Sequence, residues 1–168
     1  MPYTVAMIHA LIGWIESTRP NQVVQTVFWI IPVVQTIHIL SVSIVVASMA
    51  MLDLRLIGLG LSRHSIASLA YRFMPWTWGA LVLLLLSGTV LIIGEPERSL
   101  GNWVFQLKMS LLLLAVFASL IFTRGLREDR GSWERSPNQR MASRVLGVLL
   151  LMLWVGIVVC GRWIAYVG

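Results

Sequence analysis

Four long stretches without a charged side chain limit what this sequence can become. No Asp, Glu, Lys or Arg stands between Arg19 and Asp53, between Arg72 and Glu95, between Lys108 and Arg124, or between Arg144 and Arg162. The hydrocarbon core of a bilayer takes about 20 apolar residues per helix, with roughly 17–25 tolerated. Lipid offers the backbone no hydrogen-bond partner, so runs of this length are helices that satisfy their own peptide groups. A hydrophobic fraction of 58% over 168 residues, with a mean hydropathy of +0.83, leaves too little polar surface to wet a soluble domain. The fold class expected is all-α, an integral membrane four-helix bundle forming one domain over residues 1–168.

The spans are expected at about 23–57, 73–93, 102–124 and 142–166. Pro32 is read as a kink in the outer part of the first, and Gly94-Glu95-Pro96 closes the second. Ahead of them, residues 4–16 place Val5, Ile8, Leu11, Ile12 and Ile15 at helical spacing. Such a segment is too short to span and reads as an interfacial amphipathic helix. Trp76, Trp78, Trp103, Trp163 and Tyr166 fall near helix ends, where aromatic belts form. The N-terminus lacks the basic region of a signal peptide and is read as part of the mature chain.

A formal charge of +6 invites a nucleic-acid reading. The distribution of the charge points instead to membrane topology. Arg55, Arg63 and Arg72 flank the first connection, and Arg124, Arg127, Arg130, Arg135, Arg140 and Arg144 flank the third. The opposite side holds Arg19, Arg98 and Arg162 beside Glu16, Glu95 and Glu97. By the positive-inside rule both termini face outward from a bacterial inner membrane. One cysteine, Cys160, excludes an internal disulfide, and without a Cys-x-x-Cys-His motif there is no covalently attached c-type haem.

Lys108 is the residue that fits least well in lipid. Between it and Arg124 lie 15 residues, about 22 Å of helix. To cross a core of about 30 Å the third span must carry Lys108 into the membrane. An ionisable side chain at that depth is a functional-site candidate. His38 lies in the uncharged run of the first span, 15 residues before Asp53, while Lys108 lies 16 before Arg124. The two spans run in the same direction, so imidazole and amine are expected at one depth. Gln35, His38, Ser41, Val45 and Ser48 share one face, and Lys108, Leu112, Ala115 and Ser119 another. The small residues Ser41 and Ala115 leave room for a flat group between them. Imidazole is a common axial ligand of haem iron, and a lysine amine ligates once it is neutral.

Plainer roles stand beside these. His38 can serve as a hydrogen bond between helices, Lys108 can snorkel outward, and Ser87, Gly88, Gly147, Gly156 and Gly161 suit close helix packing. Arg162 is read as a partner for a haem propionate or as a flanking anchor. Trp76, Gly79, Leu83 and Ser87 share a face that would wall a pocket. Asp53 and Arg55 are assigned to structure, pairing with loop charges, and His9 and His64 to solvent.

The segments Trp29 to Leu40 around His38, Asp53-Leu-Arg55-Leu-Ile-Gly, Trp103-Val-Phe-Gln-Leu-Lys108 and Gly161-Arg162-Trp163-Ile resemble an uncharacterised bacterial membrane family of this size. More remotely, the layout resembles the bacterial protoporphyrinogen oxidase family HemJ and the membrane domain of CopD-type copper-resistance proteins. In the HemJ family a histidine in an early helix and a lysine opening a later one, preceded by a tryptophan, are associated with b-type haem. By position His38 and Lys108 match that pair, and Trp103 stands in a similar place. The chain departs from HemJ in lacking its closing Asn-Glu segment, and from CopD in its length and in having no methionine-histidine cluster.

The resemblance implies haem b ligated by His38 and Lys108, with Arg162, Trp76, Ser41 and Ala115 around it. The function expected is electron transfer or redox chemistry near the outer leaflet, by an oxidoreductase or a haem-carrying subunit of one. Its partners would be the lipid bilayer, an outer-face redox protein and quinone, with a homo-oligomer left open and no nucleic acid. A copper or other metal permease and a cofactor-free anchor subunit are the alternatives.

Overall fold

A computed structural model describes residues 2–59, 66–128, 137–164 and 166. Arg63, His64, Arg130 and Arg135 lie outside the described residues, as do the side chains of Arg127 and Arg140. The described residues form seven helices: α1 (Pro2–Glu16), α2 (Arg19–Thr26), α3 (Ile30–Ile57), α4 (Ile66–Gly94), α5 (Pro96–Leu100), α6 (Trp103–Glu128) and α7 (Pro137–Trp163). Four of them contain segments long and apolar enough to cross a membrane: Ile30–Ile57, Ile66–Gly94, Trp103–Ile121 and Met141–Trp163. The chain is a multi-pass membrane protein.

α3 packs most extensively on α4 and next on α7, α7 also packs on α6, and α4 touches α6 only sparsely. The bundle is therefore a chain of contacts α4–α3–α7–α6, closed weakly along its last side. Val45, Met49, Leu52 and Leu56 of α3 meet Leu69, Ala70 and Ala80 of α4, Ala115 of α6, and Trp154 and Ile157 of α7 in the core. That core occupies the half of α3 beyond His38, toward the end where the arginines cluster. α1, α2 and α5 gather at the other end, called the capped end below.

The first span differs from the expected single helix over 23–57. The helix breaks at residues 27–29, and α2 stands apart as eight polar-rich residues. Pro32 does not kink α3. It is the third residue of that helix, where a missing N–H leaves no intrahelical bond unmade. Hydrogen bonds to α4 hold α2 in place. The Asn21 amide donates to the Ile93 carbonyl at 2.7 Å, and the Gln25 amide donates to the Gly94 carbonyl. These acceptors belong to the last turn of α4, whose carbonyls have no intrahelical donor. Asn21→Ala is expected to cost about 1 kcal/mol. Amide hydrogen exchange over residues 19–26 should accelerate while the four spans stay protected.

Charged residues bound the apolar runs but not the helices. α4 begins at Ile66, seven residues before the expected Phe73, and carries Arg72 and Pro75 within it. The described part of α7 opens at Pro137. At its far end α3 stops on Gly58, whose φ of +90° is open to glycine at little cost. The Gly58 N–H bonds the Arg55 carbonyl at 3.1 Å and the Leu59 N–H bonds that of Leu54 at 2.9 Å, closing the helix end.

Asn102 starts α6. Its side-chain oxygen accepts the Val104 N–H at 2.9 Å, as N-cap residues do. This fixes the register of Lys108, five residues beyond Trp103. α1 buries Ile12 and leaves Met7, Leu11 and Trp14 exposed, so both its faces are apolar. A helix apolar all round seats in lipid or against protein rather than along a wetted surface.

Candidate functional site

His38 lies eight residues into α3, and Ser87 of α4 lies seven before the end of its helix. These antiparallel helices meet there. His38 Nδ1 and Ser87 Oγ are 2.8 Å apart. The direction of that bond follows from the rest of the serine's contacts. Ser87 Oγ donates its one proton to the Leu83 carbonyl at 2.6 Å, so toward the imidazole it is an acceptor. His38 therefore carries its hydrogen on Nδ1, and the lone pair of Nε2 is left uncommitted. Gly88 lets α4 close on the ring: a β-carbon there would stand 3.5 Å from His38 Cε1. The plain reading of His38 as an interhelical hydrogen bond is thus what the structure contains, and it uses only one ring nitrogen.

Lys108 approaches from α6. Its Cε and Nζ both lie 3.6 Å from the position a β-carbon would take on Gly161 of α7. Glycine leaves a channel for the lysine tail there, and the tail runs toward the capped end, where helical side chains of α6 point. Lys108 stands five residues into α6 and His38 eight into α3, both in the half of the bundle beside the capped end. Imidazole and amine project from helices that make little direct contact with each other, His38 against α4 and Lys108 against α7.

Of the other residues expected around them, Ser41 and Ala115 are buried, at 1% and 0% exposure. Ser41 sits one turn beyond His38, its hydroxyl donating to the Ile37 carbonyl at 2.8 Å. Ala115 sits two turns beyond Lys108, in the tight core. Together they floor the region on the arginine-rich side.

Trp76 does not join the site. It is 68% exposed, and the buried face of α4 runs through Thr77, Ala80 and Ser87. The wall expected from Trp76, Gly79 and Leu83 is turned about one position round the helix, and the large indole faces outward. Arg162 is exposed too. Its guanidinium donates to the Tyr166 hydroxyl at 3.0 Å and lies 5.3 Å from that ring's centroid, at the rim.

Sequence reasoning gave Gly88 and Gly161 to packing alone, Ser87 to packing or a pocket wall, and Cys160 no role beyond excluding a disulfide. The Ser-Gly pair directly after the run Leu83 to Leu86 was the available signal for a close approach to α4. What the approach would meet depends on the pairing of helices, which a single sequence does not contain.

A family model matches residues 11–167, nearly the whole chain. The chain belongs to the DUF6644 family, a family of unknown function. No curated protein and no solved structure matches it. The likeness to HemJ and CopD-type proteins is therefore one of layout only. His38, Lys108, Ser87 and Gly161 all fall inside the span that defines this DUF6644 member.

Among the described residues no three His, Cys, Asp or Glu side chains gather to hold a metal ion. A haem asks for less from the protein, because its porphyrin supplies four donors and side chains only the axial ones. His38 Nε2 and Lys108 Nζ are donors of the required kind, and both approach glycine surfaces. The residues present fit such a group.

Proposed function

We propose that the protein holds one b-type haem in the capped half of the bundle, with His38 and Lys108 as axial ligands, and moves electrons within the membrane. The observation that carries this reading is the state of His38: its Nδ1–H is committed to Ser87, and its Nε2 lone pair is not. Ligating histidines characteristically donate their other ring N–H to a fixed acceptor, which sets the ring's orientation and raises its basicity. The group would supply one-electron chemistry, tuned by axial ligands and burial. Ser87 would orient the imidazole, Gly161 would give the lysine its path, and Ser41 and Ala115 would keep the floor small. Arg162, released from Tyr166, would pair with a propionate at the rim.

The arginine distribution supports a bacterial inner membrane with the capped end outward. The haem would then lie toward the outer leaflet, between an outer-face donor protein and quinone. An absorption spectrum of the purified full chain, oxidised and reduced, tests the reading. A Soret band that shifts on reduction is expected. Stoichiometric copper without pigment would favour metal transport, and a colourless, metal-free protein that co-purifies with a partner would favour an anchor subunit. Either result overturns the haem reading.

A further inference from the structure

Asp53 is the most deeply buried charged-type side chain in the described structure. It is 1% exposed, flanked along α3 by Met49, Leu52 and Leu56, all buried. Neither carboxyl oxygen has a hydrogen-bond partner. The sequence reading assigned Asp53 to pairing with loop charges; Arg63, His64, Arg130 and Arg135, and the side chains of Arg127 and Arg140, lie outside the described residues, and among the described residues nothing pairs with it. Arg55, on the same helix, is engaged elsewhere. Arg144 of α7 is exposed, with its guanidinium 3.8 Å from the β-carbon position of Gly58, beyond the helix end. Arg72 of α4 and Arg124 of α6 are exposed as well. Among the described residues none of these cations reaches the carboxyl group.

A carboxylate buried this deeply, with no partner among the described residues, must have its charge met by something small. A metal cation is a poor fit, since hard cations gather six or more oxygen ligands. The buried neighbours of Asp53 along α3, Met49, Leu52 and Leu56, offer no oxygen ligand. A proton needs only one carboxyl oxygen.

We propose that Asp53 is a proton-binding site, a carboxylic acid that carries an exchangeable proton at neutral pH inside the arginine-rich end of the bundle. Four residues, or about 6 Å of helix, separate it from the end of α3 at Ile57. About 22 Å separates it from His38. The arginine-rich face is therefore the nearer side from which that proton exchanges with water. This inference does not depend on the haem reading.

Infrared spectroscopy of the full chain in lipid nanodiscs tests it. The chain has two aspartates, Asp53 and Asp129, so aspartate labelled with carbon-13 at the side-chain carboxyl marks few groups. At neutral pH the wild type is expected to show a protonated-acid C=O band that moves on labelling and in heavy water. The band should persist in Asp129→Asn and disappear in Asp53→Asn. Lack of a label-sensitive acid band in the wild type would overturn the proposal, even if Asp53→Asn failed to fold. Removal of that band by sodium or potassium at constant pH would overturn it also, because a cation would then occupy the site.

Discussion

His38→Ala is expected to yield a colourless protein from cells in which the wild type purifies with its pigment. The imidazole is the one donor whose free electron pair is fixed by a hydrogen bond on its other nitrogen, so its loss removes both ligand and orientation. Ser87→Ala separates these contributions. That variant keeps the imidazole but lets it turn and change tautomer, and a lost outer partner typically costs about 10–100-fold in metal affinity. Ser87→Ala should therefore retain pigment that is washed out at dilutions the wild type survives. Lys108→Ala should keep a pigment with an altered spectrum, since one axial ligand remains. Thermal unfolding of each variant in detergent provides the control for folding. Full pigment with an unchanged spectrum in His38→Ala would remove this histidine from the site.

The four spans were legible because exclusion of charge from lipid is a property of composition, and each uncharged run maps onto one long helix. The ends of those helices were not legible in the same way. Arg72 marks where α4 leaves apolar surroundings, yet an α-helix continues in water without difficulty, so α4 runs back to Ile66. The break before α3 carries no local signal at all. Val27, Phe28 and Trp29 include neither glycine nor proline, and the interruption follows from Asn21 and Gln25 reaching the last carbonyls of α4, some 70 residues away.

For the site, periodicity put Ser41 and Ala115 on faces that are buried, while Gln35, assigned to the same face as His38 and Ser41, is exposed. It misplaced Trp76, whose neighbour Thr77 is the buried one. One position is about 100° of helix, and a face rich in leucine on every side offers no contrast by which to set the rotation. The bond from His38 to Ser87 and the isolation of Asp53 depend on which helices are neighbours. That information resides in tertiary packing.

Gly147→Ala is expected to be among the most damaging single-carbon changes available in this chain. A β-carbon at that position would stand 2.9 Å from the Asp53 carbonyl oxygen, 2.9 Å from Leu56 Cβ and 3.1 Å from Ile57 Cγ1. The first of these is backbone and the second is fixed to it, so neither moves unless α3 and α7 part. Small residues at such crossings are what allow helices in lipid to gain packing energy. Overpacking a tight contact costs about 1–3 kcal/mol. Gly79→Ala supplies the comparison. Nothing lies within 4 Å of its added carbon, and replacing a mid-helix glycine by alanine gains about 0.5–1 kcal/mol. That gain applies at both positions and cancels, so the two identical chemical changes should separate by the overpacking cost, about 1–3 kcal/mol, in reversible unfolding with denaturing detergent. The exchangeable proton of Asp53 supplies a second readout, because separating α7 from α3 at Gly147 admits water beside that carboxyl and should speed its exchange. Equal stabilities for Gly147→Ala and Gly79→Ala would mean that α3 and α7 do not meet at Gly147, and the packing order of the bundle would have to be redrawn.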